Sequence, residues 1–471
     1  MGDEISKANY DAEDFRLFQQ RLEQETDFVR QLFAEKRFDN QQCKLGYELE
    51  LCLLDSTGQP APLIQPVLDD ADNPLFTYEL AKFNLEINGN AFNLQPDVFE
   101  QIERDLDHLY SQVEQSAAKF DLQPGLFGVL PSLERKHLDS AHFMSDQHRY
   151  HLLDRRLIEM RNRPVKLEIQ GDELLQVEKN DVMLEALSTS LQTHLQIPFD
   201  ESVDSYHAAL WASMAVLAVG ANSPLVLGKK CWQESRIAIF KQAVDTRNER
   251  EVLDAIIPRV HFGKGYISSW LDLFEDNSYY SPILPETRDC PPEKLHHFNM
   301  HNGTIWRWVR PILGVVDEQY HLRLELRVTP SGPTRIDTIA NMVFFIGLLE
   351  GLKQKPENLT RVPFGVLEQD FYRVAREGLR ASVTWCDGES SNMRDLLVEK
   401  VIPLAHDGLI KLGINNPQNW IDIIHDRVTS GRTGAAWILR FHQQTDDMNA
   451  IVRTYLANAK SNIPVHLWPD I

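Results

Sequence analysis

Glu48 and Glu50 stand two residues apart in the run Leu45-Gly46-Tyr47-Glu48-Leu49-Glu50-Leu51-Cys52-Leu53-Leu54. Strand alternation sends Tyr47, Leu49, Leu51 and Leu53 to one side and Glu48, Glu50 and Cys52 to the other. Two carboxylates on one face repel, so a cation is expected in front of them, either a metal ion or basic side chains. A solvated edge strand would alternate in the same way, so other segments must decide. In residues 78–88, Glu86 and Asn88 oppose Leu85 and Ile87, with Glu79 on a side that the pattern leaves open. Residues 191–198 place Gln192, His194 and Gln196 opposite Leu191, Leu195 and Ile197, and residues 321–328 place Arg323, Glu325 and Arg327 opposite Leu322, Leu324, Leu326 and Val328. Residues 302–311 read as another strand, ending with Arg310 before Pro311. If these strands are neighbours, their polar faces make a floor of carboxylates and one histidine bordered by arginines. Carboxylate oxygens suit Mg²⁺ or Mn²⁺, and arginine forks suit phosphate or carboxylate oxygens. The combination points to Mg-nucleotide chemistry, although salt bridges across a buried sheet would leave the same pattern. There is no GxxxxGK[ST] and no GxGxxG after a strand, so phosphates would be held by metals and arginines rather than by a glycine loop.

Helical segments must carry these strands. Residues 14–37 repeat Phe15, Phe18, Leu22, Phe28, Leu32 and Phe33 at helical spacing, and residues 97–120 do so with Val98, Ile102, Leu106, Leu109 and Val113, Asp97 being placed to cap. Residues 126–130 read as a short strand. Residues 147–161 form a helix with Arg149, Arg155, Arg156 and Arg161, by default a solvated basic face. The apolar run 208–220 is shorter than the roughly 20 residues of a membrane span and reads as a buried helix. Residues 248–292 are long, irregular and rich in aromatic residues and proline, a candidate cover around Tyr279 or a plain surface loop. A helix over 334–352 is followed by further helices to the end, with no linker or repeat between them. The division expected is an N-terminal helix packed on the core (1–43), a catalytic region (44–352) and a helical extension on the same domain (353–471).

Composition narrows the classes. A formal net charge of −21 argues against a general nucleic-acid binder. Five scattered cysteines without a CxxC pair suggest neither a disulfide framework nor a zinc knuckle, and fit reduced thiols in a cytoplasm. The acidic start, Met1-Gly2-Asp3-Glu4-Ile5, lacks the apolar stretch of a secretory signal.

The fragments GYELEL at Gly46, FNLEIN at Phe83, THLQ at Thr193, ANSPL at Ala221, ESR at Glu234, GTIWRWVRP at Gly303 and LELRV at Leu324 stand in the order and rough spacing of glutamate-cysteine ligase family 2, which the chain resembles over about residues 44–350. The resemblance implies an α+β fold, a curved antiparallel sheet of glutamine-synthetase type backed by helices. It implies a ligase that uses ATP and Mg²⁺, with Mn²⁺ as an alternative, to phosphorylate the γ-carboxylate of glutamate before an amine attacks. Carried over by position, Glu48, Glu50, Glu86, His194 and Glu325 resemble metal ligands, Glu79 less clearly. Arg327 resembles the arginine that meets the transferred phosphate, with Glu48 and Glu325 beside it. Arg236 and Arg310 resemble binders of nucleotide phosphate or substrate carboxylate. THLQ lacks the second histidine and the glycine often seen there, which makes Gln196 a departure at the nucleotide site. The partners implied are an amino-acid donor and an amine acceptor, with neither nucleic acid nor membrane. The C-terminal helices, outside the resemblance, are candidates for an acceptor site or a homodimer contact. A phosphotransferase on the same kind of sheet, or a non-catalytic nucleotide-binding regulator, would share much of this pattern.

Overall fold

The computed structural model describes residues 4–39 and 43–469. The first three residues of the stretch read for a signal sequence lie outside them. Helix α1 (Ala12–Glu35) leads into β1 (Lys44–Leu54), the central strand of a curled, eight-stranded antiparallel sheet. The other strands are β2 (Phe76–Tyr78), β3 (Asn84–Asn88), β4 (Phe92–Asn93), β5 (Gln123–Gly125), β6 (Ser190–Ile197), β7 (Val309–Val316) and β8 (Gln319–Pro330). The order is β7-β8-β6-β1-β3-β2, with β4 and β5 pairing with the two ends of β1. The polar faces read from the sequence therefore are neighbours.

Behind the sheet lie α2 (Val98–Ala118), α4 (Ser202–Gly220) and α5 (Arg335–Leu352), with α3 (His148–Arg161) between the first two in the chain. The five periodic positions of α2 are all buried. Almost every residue of α4 and α5 is buried, and neither helix has a solvent stripe because each is covered on all sides. The apolar run is thus a core helix, and among the described residues no helix is long and apolar enough to cross a membrane. The helices after α5 fasten onto the same core. Arg427, fully buried on the helix Pro417–Ser430, bonds Asp337 at 2.7 Å and Asn341 at 2.6 Å, both on α5. Tyr455 on Met448–Ala459 donates to the Leu126 carbonyl at 3.0 Å. That contact explains why residues 126–130 are apolar without forming the expected strand. They are buried beneath a helix, and the strand lies just ahead, at Gln123–Gly125.

Two further expectations are corrected. Residues 302–311 are not one strand: the helix His296–Asn302 and a turn precede β7, which starts at Val309 and continues through Pro311 to Val316. Proline is accommodated because β7 is an outer strand of the sheet. The basic helix α3 is solvated only in part. Arg161 is buried and donates to backbone carbonyls at Ala243 and Asp245, and Arg156 lies over the Phe15 ring at 4.5 Å. Asp97 precedes α2 but its side chain makes no capping bond. Residues 248–292 are tied down by Arg259, which donates to the Ser281 carbonyl within the segment and to the Thr304 carbonyl beyond it at 3.1 Å, and by Arg307, which donates from outside to the Leu273 carbonyl at 2.9 Å, while Tyr279 is 73% exposed beneath Lys264.

Candidate functional site

Strand register assembles the site. Across β1 and β3, Glu50 faces Glu86 and Glu48 faces Asn88. Across β1 and β6, Glu48 faces Gln192, and across β6 and β8, His194 faces Glu325 and Gln196 faces Arg323. Arg310 on β7 sits opposite Glu325. A bulge in β8 between Leu326 and Thr329 then breaks the ladder with β6. Bulges re-aim side chains and leave backbone groups unpaired. Here Arg236 takes up the loss, its Nη2 donating to the carbonyls of Arg327 and Val328. Arg236 is itself set by two of the sequence fragments, since Ser223 of ANSPL donates to Glu234 of ESR at 2.7 Å and Glu234 lies 3.5 Å from the Arg236 guanidinium. Arg236, expected as a phosphate or carboxylate binder, thus spends one arm bracing the backbone of Arg327.

The polar residues separate into two groups. In the first, Glu48, His194 and Glu325 bring one ligand atom each within 4.8 Å of one another. His194 Nε2 approaches Glu48 Oε1 at 3.2 Å, yet neither ring nitrogen of this buried histidine makes a hydrogen bond among the described residues. Glu325 accepts from Arg327 at 2.6 Å and from Arg310. Burial alone would raise its pKa, but the two guanidiniums outweigh burial and hold it down at about 2. Burial likewise opposes ionisation of Glu48, and His194 with Arg310 nevertheless pulls its pKa well below the ordinary carboxylate range.

In the second group, Glu50, Glu79 and Glu86 also bring ligand atoms within 4.8 Å of one another. Glu50 accepts from the Ser190 backbone at 2.7 Å and from Gln192 at 3.2 Å, and Thr77 donates to Glu86 at 3.1 Å. The charge balance here is reversed. Burial, then Glu86 and Glu185, push Glu50 up to about 8, while burial followed by Glu86 and Glu50 push Glu79 well above its usual range. Glu185, on the turn Glu185–Leu187, is raised to about 7 by burial. The first group offers two carboxylates and an imidazole whose Nε2 lies 3.2 Å from one of them, and the second offers three carboxylates whose mutual repulsion a cation would relieve. Both donor sets fit a hard divalent ion.

Glu48, Glu50, Glu86, His194, Glu325, Arg310 and Arg327 are therefore gathered on one face, and Glu79 joins them. Gln196 lies beyond His194, lining a cavity of about 460 Å³ with Glu48, Arg323, His321 and Lys44. Sequence reasoning missed Glu185, which sits in an apolar run (Met183-Leu184-Glu185-Ala186-Leu187) with no periodicity to mark it. It also missed Arg149, whose charge acts on Glu79 and Glu86 from the first turn of α3.

These shifts set a pH dependence for the metal-free protein. The folded pKa of Glu50, about 8, lies above the ordinary glutamate value of 4.5. Such a group contributes stability that is complete below the unfolded pKa and is lost as pH rises through the folded one. The midpoint of thermal unfolding in chelator is expected to fall between about pH 5 and pH 8, with Glu185 acting in the same direction, and Mg²⁺ is expected to restore it most strongly at the upper end. A flat profile, equal with and without Mg²⁺, would show that Glu50 is already compensated.

The family model of glutamate-cysteine ligase family 2 matches residues 44–454. The chain belongs to that family. As a member of glutamate-cysteine ligase family 2 it is an ATP-dependent carboxylate-amine ligase. The match continues past residue 350, where the short motifs end, and takes in most of the later helices. Among solved structures, glutamate-cysteine ligase from Francisella tularensis in complex with AMP is similar at a TM-score of 0.58 and 12% identity, with 90% of each chain covered. That likeness shows the fold. A bifunctional glutathione synthetase from Pasteurella multocida matches at a TM-score of 0.49 and 12% identity, over 93% of this chain and 55% of that one. No curated protein gives a match.

Proposed function

We propose that the protein joins the γ-carboxylate of glutamate to an amine through an acyl phosphate, with Mg²⁺ or Mn²⁺ on the carboxylate floor. The observation that carries this reading is the pair of neighbouring acidic groups with opposite charge balance, at whose junction Arg327 bonds both Glu325 and Gln192. Glu48, His194 and Glu325 would hold one divalent ion and Glu50, Glu79 and Glu86 a second. Bound there, such ions would neutralise the phosphates and polarise the phosphoryl group in transfer. Arg327 keeps its guanidinium fixed between Glu325 and Gln192, so charge developing on a transferred phosphoryl meets a donor that needs no reorganisation. Arg310 holds the other oxygen of Glu325 and keeps that carboxylate ionised. The cavity beside Gln196 and Arg323 is of a size suited to a small ligand and is the proposed nucleotide entrance. Burial of Glu86, Glu325 and Arg327 limits water at the reacting centre, where an acyl phosphate must survive until the amine arrives.

The test measures ADP release at fixed Mg-ATP and glutamate across a panel of amines, with products weighed by mass spectrometry. A product of donor plus amine less water, formed only when the amine is present, is the expected result. Absence of amine-dependent ADP with either Mg²⁺ or Mn²⁺, or a stable phosphorylated product in place of an amide, would overturn the reading.

A further inference from the structure

A second cavity, of about 380 Å³, lies where the C-terminal helices meet the core, and none of the residues lining it belongs to either acidic group of the sheet. Small side chains give it an apolar lining. Ala218 on α4 and Ala221 just past its end are both buried, and Ala436 joins them from the helix Gly434–His442. Gly378 allows a close approach on the same wall: it has a positive φ of 59°, and a Cβ there would lie 3.1 Å from Gln233 Cγ.

Two arginines, Arg380 and Arg394, line the cavity and are exposed. Their backbones are fixed to one side chain. Asn392 donates to the Arg380 carbonyl at 3.1 Å and accepts the Arg394 backbone N–H at 3.0 Å. Among the described residues the Arg380 guanidinium makes no hydrogen bond or ion pair, and Arg394 spends one arm on the Thr429 carbonyl. Donors therefore remain for a ligand. Glu377 is the one acidic residue of the lining, so this spot carries an excess of positive charge in a chain whose formal net charge is −21. A cavity of this size with an apolar lining and a few convergent polar groups suits a small molecule, and guanidinium forks suit an oxyanion.

The wall of this cavity is also the back of the brace that holds Arg327. Gln233, which lines it, donates its backbone N–H to the Arg376 carbonyl at 3.1 Å, and Glu234 donates to the Ala375 carbonyl at 2.9 Å, both near the end of the helix Phe364–Glu377. Two residues further on, Arg236 donates to the carbonyls of Arg327 and Val328. Ala221 accepts the Ala435 N–H at 2.9 Å, and its neighbour Asn222 donates its own N–H to Glu234 at 2.8 Å. The ANSPL and ESR fragments thus stand between the cavity and the bulge of β8.

We propose that this cavity is a second ligand site, for a small organic anion with a carboxylate or phosphate head and an apolar body, and that its occupancy steadies the segment Gln233–Arg236 that braces Arg327. The head meets Arg380 and Arg394, and the body lies on the alanine lining. A ligand seated against Gln233 adds a further tie to a segment held from this side by two backbone bonds.

Calorimetric titration of the whole protein with benzoate and with phenyl phosphate, against benzyl alcohol as the uncharged control, tests the site. At least one anion is expected to bind saturably at one per chain and the alcohol not at all; the tighter of the two anions identifies the head group. Arg380→Ala, which removes no contact within the protein, is expected to weaken binding about tenfold, the size of one charge-assisted hydrogen bond. Ala436→Phe, with its fold checked by thermal unfolding, fills the cavity and is expected to abolish binding. No saturable binding of either anion, equal binding of the alcohol, or binding that either variant leaves unchanged overturns the site. Hydrogen exchange of residues 233–236 is expected to slow several-fold with the bound anion in the native protein and not in Ala436→Phe. Exchange that stays the same in the native protein overturns the link to the brace. Neither measurement needs turnover, so both answer whether or not amine-dependent ADP release is found.

Discussion

Replacement of Arg327 by alanine is expected to lower kcat for amine-dependent ADP release by about 10³-fold, with a much smaller loss of ATP affinity by calorimetry. Removing a single preorganised donor from a developing oxyanion typically costs about 10²–10³ in rate, and an arginine aimed at a transferred phosphoryl contributes about 10³–10⁵. Three features hold the Arg327 guanidinium in position: its bonds to Glu325 and Gln192, the Phe240 ring centre 5.8 Å from its charge, and the bulge beside it in β8. Arg327→Lys keeps the charge but loses the fork, and is expected to recover only part of the rate. A structural explanation must be separated, because alanine also leaves Glu325 with one arginine instead of two. Thermal unfolding of both variants gives that control: if stability falls for each while kcat per folded molecule drops less than tenfold, Arg327 braces the sheet and does not meet the phosphate.

The largest stability effect is expected far from the chemistry. Arg427→Ala should lower stability by about 3–5 kcal/mol, the usual cost of removing one partner of a buried ion pair. Arg427 and Asp337 are both fully buried, joined at 2.7 Å, and Arg427 also holds Asn341 at 2.6 Å and the Val219 carbonyl at 3.2 Å. Its removal strands a carboxylate that Thr334 at 2.8 Å and the Val465 backbone N–H at 3.0 Å only partly satisfy. Substitution of both partners together, Arg427→Met with Asp337→Leu, is expected to be milder than the single change, since no charge is then left alone in the core. A fall in the thermal midpoint of a degree or less for Arg427→Ala would mean that water reaches the pair. The C-terminal helices would then be less tightly joined to α4 and α5 than these contacts indicate.

The polar floor was legible because a strand has a period of two. Once Glu48 and Glu50, Glu86, His194, and Glu325 with Arg327 were each set on the polar side of a strand, only the pairing remained to be found. The helical segments were legible for the related reason that apolar side chains recur every three or four residues. Where the local pattern misled, tertiary contacts outweighed it. Residues 126–130 are apolar because a distant helix covers them, Pro311 passes through a strand because that strand lies at the edge, and Arg161 and Arg156 of α3 turn to backbone carbonyls and an aromatic ring.

The sequence by itself determined which side chains could share a face, that they are acids, one imidazole and arginines, and that no glycine loop accompanies them. Membership of glutamate-cysteine ligase family 2 follows from their order along the chain. Only the tertiary structure decided how those residues divide. Register sets Glu325 between two arginines that hold it ionised and leaves Glu50, Glu79 and Glu86 together with Glu185, where burial and neighbouring carboxylates raise the pKa of Glu50. It also decided that Arg236 braces a bulge and that Arg149 faces the site. The physical reason is that electrostatic free energy depends on separations of a few ångströms between residues far apart in sequence, and local spacing carries no information about those separations.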